Sequence, residues 1–197
     1  MVDNKSMEKS TSQQILDVAQ DMVRSRGYSA FSYADISERI GIRKASIHYH
    51  FPSKDELVLK LVQYYREAFS RSCDRIVQSV ASPQQQLMQF ANLYRDGLRQ
   101  GQICLCAMLT ADFAVLPQAV QDEVQAFFQQ TEAWLAALLQ RGCEAKVWPC
   151  YPSPEVEAKG LIALLQGAQL LARGVEDSPA AFEQIVYPFL ASRLSKA

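Results

Sequence analysis

Apolar residues recur three and four apart through most of this chain, and no segment shows the short alternation of a strand. Ile15, Leu16, Ala19, Met22 and Val23 form the first stripe. Thr11 or Ser12 can cap it, and Gly27 stops it after Arg24 and Arg26. Ile36 and Ile40 mark a short second helix. Ser32 stands at its N-cap, Asp35 imitates the capping-box acid, and Phe31 with Ile36 have the spacing of a hydrophobic staple. Gly41 permits a tight turn. A third short helix begins at Lys44, with Ile47 as its one clear inward anchor. Ser53 and Glu56 form a capping box that opens a long helix, whose apolar face runs through Leu57, Leu61, Tyr64 or Tyr65, Phe69 and Ile76. Ser82-Pro83 starts the next, with Leu87, Phe90, Ala91, Tyr94 and Leu98 inward and Gly101 ending it. Residues 104–113 are a short apolar stretch, read as helical. Residues 118–141 form a long helix carrying Val124, Phe127, Phe128, Trp134, Leu135 and Leu138, closed by Gly142. The clearest loop is 143–152. Ser153-Pro154 opens a helix stopped at Gly174, and Ser178-Pro179 opens the last. The expected class is all-α, with about nine helices.

Residues 31–54 read as a helix-turn-helix followed by the start of a longer helix. The third helix carries Lys44, Ala45, Ser46, His48, Tyr49 and His50: a cation, a hydroxyl, two imidazoles and a phenol within two turns. Such a surface is poor core material and suits the reading of a DNA groove. The stretch resembles the DNA-binding domain of TetR-family transcriptional regulators (TetR/AcrR type). Gly41, Lys44, Ala45, Ser46, Ile47, Tyr49, His50, Phe51, Ser53, Lys54 and Leu57 carry the resemblance, in the family's order and spacing. It covers roughly the first sixty residues. One position departs: the family often has Ser or Thr before the recognition helix, and Arg43 stands there. Arginine cannot cap a helix N-terminus, but it can reach a phosphate.

The resemblance implies a loose N-terminal arm (1–10), a three-helix DNA-binding domain (11–56) and a larger helical domain for effector binding and dimerisation (57–197). It implies DNA contacts from Arg43, Lys44, Ala45, Ser46, His48, Tyr49 and His50, with Ser32, Tyr33 and Lys54 at positions that touch phosphates. It further implies a small-molecule effector, homodimerisation and a near-palindromic double-stranded operator. No cofactor is expected. His48 and His50 point to nearly opposite sides of a helix and no other histidine exists to complete a metal site.

Charge alone does not suggest DNA. The formal net charge is −1, and residues 1–60 hold nine Lys/Arg against eight Asp/Glu. A helix-turn-helix needs only a local basic rim, which Arg43, Lys44 and Lys54 supply. The five cysteines include no CxxC pair, so neither a disulfide framework nor a structural zinc site is expected. The first ten residues are polar and charged, unlike a signal peptide, and no apolar run reaches the length of a membrane span. A reducing cytoplasm is the expected compartment. No G-x-S-x-G, P-loop, dinucleotide fingerprint or metal-binding helix motif occurs, so an enzyme is not expected.

In the second domain Tyr64, Phe69, Cys73, Tyr94, Cys106, Met108, Phe113, Phe127 and Trp134 are candidates for an apolar or planar effector, against the plainer reading of ordinary core. Gly160, Ala163, Leu164, Gly167 and Leu171, with Leu170 beside them, and Phe182, Ile185, Val186 and Phe189 are candidates for a four-helix dimer interface. The function so read is a one-component DNA-binding regulator, expected to be a repressor released by a small molecule. The alternatives are a small-molecule-binding helical protein, and a thiol-based electrophile or redox sensor acting through Cys104 or Cys106.

Overall fold

A computed structural model describes residues 9–150 and 153–194. Most of the arm expected over 1–10 lies outside them. The described residues form nine α-helices and no strand: α1 (Thr11–Arg26), α2 (Tyr33–Ile40), α3 (Lys44–His50), α4 (Lys54–Ser79), α5 (Pro83–Leu98), α6 (Leu105–Ala111), α7 (Gln118–Glu144), α8 (Pro154–Ala172) and α9 (Ser178–Leu194).

Most helix starts follow from local chemistry. Ser32 and Asp35 form the complete capping box of α2. Ser53, Ser82 and Ser153 cap α4, α5 and α8 through their hydroxyls. At α1 the cap is Ser10, whose hydroxyl accepts the Gln13 N–H at 3.2 Å, and not Thr11 or Ser12. Gly41 closes α2 with φ 78°, a conformation that a Cβ disfavours. Residues 104–113 divide into α6 and a single 3-10 turn at Phe113–Val115.

The end of α7 overturns two expectations. Gly142 does not stop the helix; it is buried inside the last turns of α7. A Cβ there would overlap the ring of Trp148, which folds back over the helix and donates from Nε1 to the Leu139 carbonyl at 2.9 Å. Lys146, at φ 55°, reverses the chain. That reversal brings Cys143 and Cys150 to a Cα separation of 4.8 Å, where they form a disulfide. The disulfide is contrary to expectation. Two cysteines seven apart fit no signature, and only the turn around Trp148 makes them neighbours.

Two buried clusters organise the chain. One joins Ile15, Met22, Ile36, Ile47 and Leu57 of the first four helices to Leu105, Leu109 and Val124 of α6 and α7. The other lies among α4, α5, α7, α8 and α9 around Phe90, Leu135, Leu165 and Phe182. Phe69, Met108 and Phe128 pack against both.

A polar seam ties α1 to the body. Arg24 donates from Nε to the Ile103 carbonyl at 2.8 Å, and Gln102 donates to Asp21 at 2.9 Å. Arg173, at the end of α8, donates to the Ser25 carbonyl. Gln169, buried on α8, accepts the Cys104 N–H at 2.9 Å and donates to the Tyr94 carbonyl at 2.6 Å. Gly97 makes room for this seam: a Cβ there would come within 2.9 Å of both the Arg24 guanidinium and the Gln102 carbonyl.

Candidate functional site

The recognition helix α3 buries Ile47 completely and exposes Lys44, Ala45, His48, Tyr49 and His50, with Arg43 exposed before them and Ser46 half-buried. Tyr49 is 83% exposed. Its ring meets only that of its neighbour His50, edge-on at 5.2 Å, and none of the described ring contacts ties it to the core. Arg43 makes no side-chain cap, so the first N–H groups of α3 stay directed at whatever lies beyond the helix end.

Tyr33 and Lys54 hold the head together. The Tyr33 hydroxyl donates to the Phe51 carbonyl at 2.8 Å, and its ring meets that of His48 edge-on, centroids 4.7 Å apart. Burial pushes the Tyr33 phenol up to about 12, so it remains a donor. Lys54 donates from Nζ to the Tyr28 and Phe31 carbonyls at 2.7 and 2.8 Å, and lies over both rings at 4.4 and 4.3 Å from their centroids. Two of its three N–H groups are therefore committed to the turn between α1 and α2. That leaves one N–H for any contact outside the chain, and the side chain's observed role is structural. His48 Nδ1 lies 3.2 Å from the Pro52 carbonyl. A carbonyl can only accept, so Nδ1 carries a proton and donates, leaving Nε2 directed away from this contact. Ser32, Tyr33, Lys44, His48 and Lys54 line one shallow recess beside α3.

The nine candidate effector residues do not stay together. Phe69, Cys73, Tyr94, Phe127 and Trp134 do, with Phe90, which the periodicity had marked as core. The ring of Phe69 meets those of Phe90, Tyr94 and Phe127 edge-on at 6.1, 6.0 and 5.1 Å, and Phe90 stacks on Trp134 at 5.0 Å. Beside them lies a cavity of about 40 Å³, lined by Phe69, Cys73, Phe127, Thr131 and Trp134. Its mouth is latched: Arg66 donates to Glu123 at 3.0 Å and to Gln130 at 3.4 Å, and Gln130 donates to Ser70 at 2.9 Å. Tyr64 falls elsewhere, in a recess shared with Ser12, Leu16 and His50 on the face of α4 toward α1. Tyr65, one residue on, takes the inward place, stacked with Phe69 and under the Arg24 guanidinium. The helical period alone could not choose between adjacent tyrosines. Phe113 belongs to the first cluster's edge, and Met108 to the junction of the two clusters.

Cys104 and Cys106 are buried, and burial pushes the Cys106 thiol well up. Neither has the access that thiol sensing needs. Of the dimer candidates, Gly160, Ala163, Leu171, Ile185 and Phe189 are exposed and Leu164 and Gly167 half-buried. Phe182 and Val186 are fully buried in the chain's own core and leave the candidate interface. Val156 and Val175, which the helical spacing did not single out, join the exposed apolar set.

A recognition helix presented by a three-helix head, on an all-α body with its own aromatic cavity, defines a DNA-binding transcriptional regulator. Residues 15–61 match the model of the family described as bacterial regulatory proteins, tetR family. A TetR-family transcriptional regulator from Agrobacterium tumefaciens superimposes with a TM-score of 0.88 at 34% identity, over 93% of this chain and 97% of that one. A TetR transcriptional regulator from Legionella pneumophila gives 0.85 and 29%, over 95% and 98%. This chain belongs to the TetR family of transcriptional regulators, which are not enzymes. It is also 36% identical to the HTH-type transcriptional repressor KstR2 of Mycobacterium tuberculosis, over 38% of this chain and 37% of that protein. The curated relatives are matched over 37% to 70% of their lengths. Among the described residues no helix is long and apolar enough to cross a membrane.

Proposed function

We propose that this protein is a homodimeric repressor that leaves its operator when a small molecule enters the body. The head spans 11–56 and the effector and dimerisation domain 57–197. The observation that carries the reading is the exposed set on α3, above all Tyr49. Arg43 and Lys44 neutralise phosphates, Ser32 and the last N–H of Lys54 add to them, and Ala45, Ser46, His48, Tyr49 and His50 face the base edges. Tyr49→Ala should cost roughly 1–3 kcal/mol of operator affinity and relax the sequence preference. Arg43→Ala and Lys44→Ala should weaken binding to all duplexes and each reduce the salt slope by about two, one for each subunit of the dimer. Anisotropy titrations of a footprinted operator duplex at several salt concentrations measure both. Wild-type affinity and slope in the Arg43, Lys44 and Tyr49 triple alanine variant would refute the reading. Lys54→Ala is a poor probe, because it unties the turn that Lys54 holds.

Release runs along α4, which begins beside α3 and ends in the body, and along the Arg24, Gln102 and Arg173 seam. A ligand that favours one tilt of these elements moves both heads. Only a difference in its affinity for the two arrangements can do so. A coupling of about 1–3 kcal/mol changes operator affinity roughly 5–150-fold. By reciprocity, saturating operator weakens ligand binding by the same factor. Calorimetric titration of a releasing ligand, with and without operator duplex, checks this; equal affinities exclude the mechanism.

A further inference from the structure

The hydroxyl of Tyr94 has no hydrogen-bond partner among the described residues. Tyr94 is 2% exposed on α5, and a phenol stranded in an apolar interior is costly. Its backbone is well anchored, since the carbonyl accepts from Gln169. The ring is packed too, with Phe90 at 5.5 Å and Phe69 at 6.0 Å. The hydroxyl alone is unsatisfied. Tyr65, Cys73, Cys104 and Cys106 are the titratable groups within electrostatic reach of it. Burial pushes Tyr94, Tyr65 and Cys106 well up and Cys73 up to about 12, so these four groups keep their protons. Tyr94 can therefore donate.

The small cavity and Tyr94 lie on either side of Phe69, which lines the one and meets the ring of the other at 6.0 Å. Cys73 also lines the cavity and belongs to the same buried cluster as Tyr94. At about 40 Å³ the cavity holds a few waters and no effector. Phe69 is only half-buried, although its ring meets those of Tyr65, Phe90, Tyr94 and Phe127 and packs against both clusters. Displacing that ring would free the volume of one phenyl group between the cavity and Tyr94. The one ionised side chain among the described lining residues, Arg66, is already paired with Glu123. A charged ligand would find no counter-charge there, and burying an unpaired charge is prohibitive.

We propose that Tyr94 is the polar anchor of the effector site, and that the effector is a neutral planar aromatic molecule bearing one hydrogen-bond acceptor, seated where the Phe69 ring now lies. This rests on the reading of the aromatic body as the effector site. The test uses the full chain without DNA. Calorimetric titrations compare acetophenone, whose carbonyl accepts, ethylbenzene, of similar shape without an acceptor, and benzoate, which is charged. Acetophenone should bind about 3- to 10-fold more tightly than ethylbenzene, with benzoate weakest. Tyr94→Phe should abolish the preference and leave ethylbenzene binding unchanged. Independently of any ligand, Tyr94→Phe should raise the melting temperature of the unliganded protein by a few degrees, because it removes an unmet donor. A lower melting temperature, a retained preference in the variant, tighter benzoate binding, or no saturable acetophenone binding each overturns the proposal. None of these readouts involves operator. Their failure leaves the DNA-binding reading intact, and loss of operator binding by the wild type would leave the Tyr94 result standing.

Discussion

Trp148→Ala is expected to destabilise this protein by about 3–5 kcal/mol, which at this chain length lowers the melting temperature by roughly 6–20 °C. The indole is 2% exposed and packs where Gly142 leaves the α7 surface bare. Its Nε1–H satisfies the Leu139 carbonyl at 2.9 Å. Val147 donates to the Gly142 carbonyl at 2.9 Å, and the Cys143–Cys150 bridge closes the turn. Removal of the ring leaves a cavity and opens the contact between α7 and α8 that the second core depends on. Gly142→Ala should destabilise comparably by a different route, since its methyl evicts the same ring. Trp148→Phe should retain part of the packing and lose the hydrogen bond. Calorimetry at one fixed protein concentration compares the three, because association shifts apparent stability. A shift below about 2 °C for Trp148→Ala would mean that the turn is peripheral.

Leu171→Glu combined with Ile185→Glu is expected to give a folded monomer whose operator affinity falls roughly 10²- to 10⁴-fold. Leu171 and Leu170 are 70% and 62% exposed on α8, and Ile185 on α9 lies in the same apolar set. Nothing lies within 4 Å of a Cβ built on Gly160 or Gly167. Those positions leave room for a helix to approach closely, and leucines flanking small residues suit a four-helix contact between two copies. Glutamate at an exposed position costs little within the chain, but would be buried and uncompensated at a two-fold interface. The loss of affinity follows because a dimer engages both half-sites at once, whereas a monomer binds each independently. Light scattering measures the mass, circular dichroism the fold, and anisotropy the operator affinity. An unchanged dimeric mass would move the interface elsewhere, and an unchanged monomeric mass in both proteins would refute dimerisation.

The helix-turn-helix was legible because each of its signals acts over a few residues. Ser32 and Asp35 close a capping box across three positions, Gly41 alone provides a left-handed turn, and Ile36 and Ile47 are the anchors of two very short helices. The serine caps before Pro83 and Pro154 are local in the same way. Even the outward face of α3 could be read, because a polar and aromatic surface with one inward isoleucine leaves a helix little choice of orientation.

What could not be read concerns partners far apart in the chain. Lys54 matches a phosphate-contacting position, but the carbonyls of Tyr28 and Phe31 claim two of its N–H groups. Tyr64 and Tyr65 are equivalent by helical period, and only the approach of Phe127 and Arg24 makes Tyr65 the inward one. Phe182 and Val186 suit an interface by composition and are instead consumed by the chain's own core. Gly142 reads as a helix stop until Trp148 lies on it. By itself, then, the sequence determined the helices, most of their serine caps and the family, because helical period and capping depend on neighbours within one turn. Which face each helix buries, which cysteines meet and which polar groups are left unsatisfied were decided only by the tertiary structure, because they depend on side chains that packing brings together from dozens of residues away.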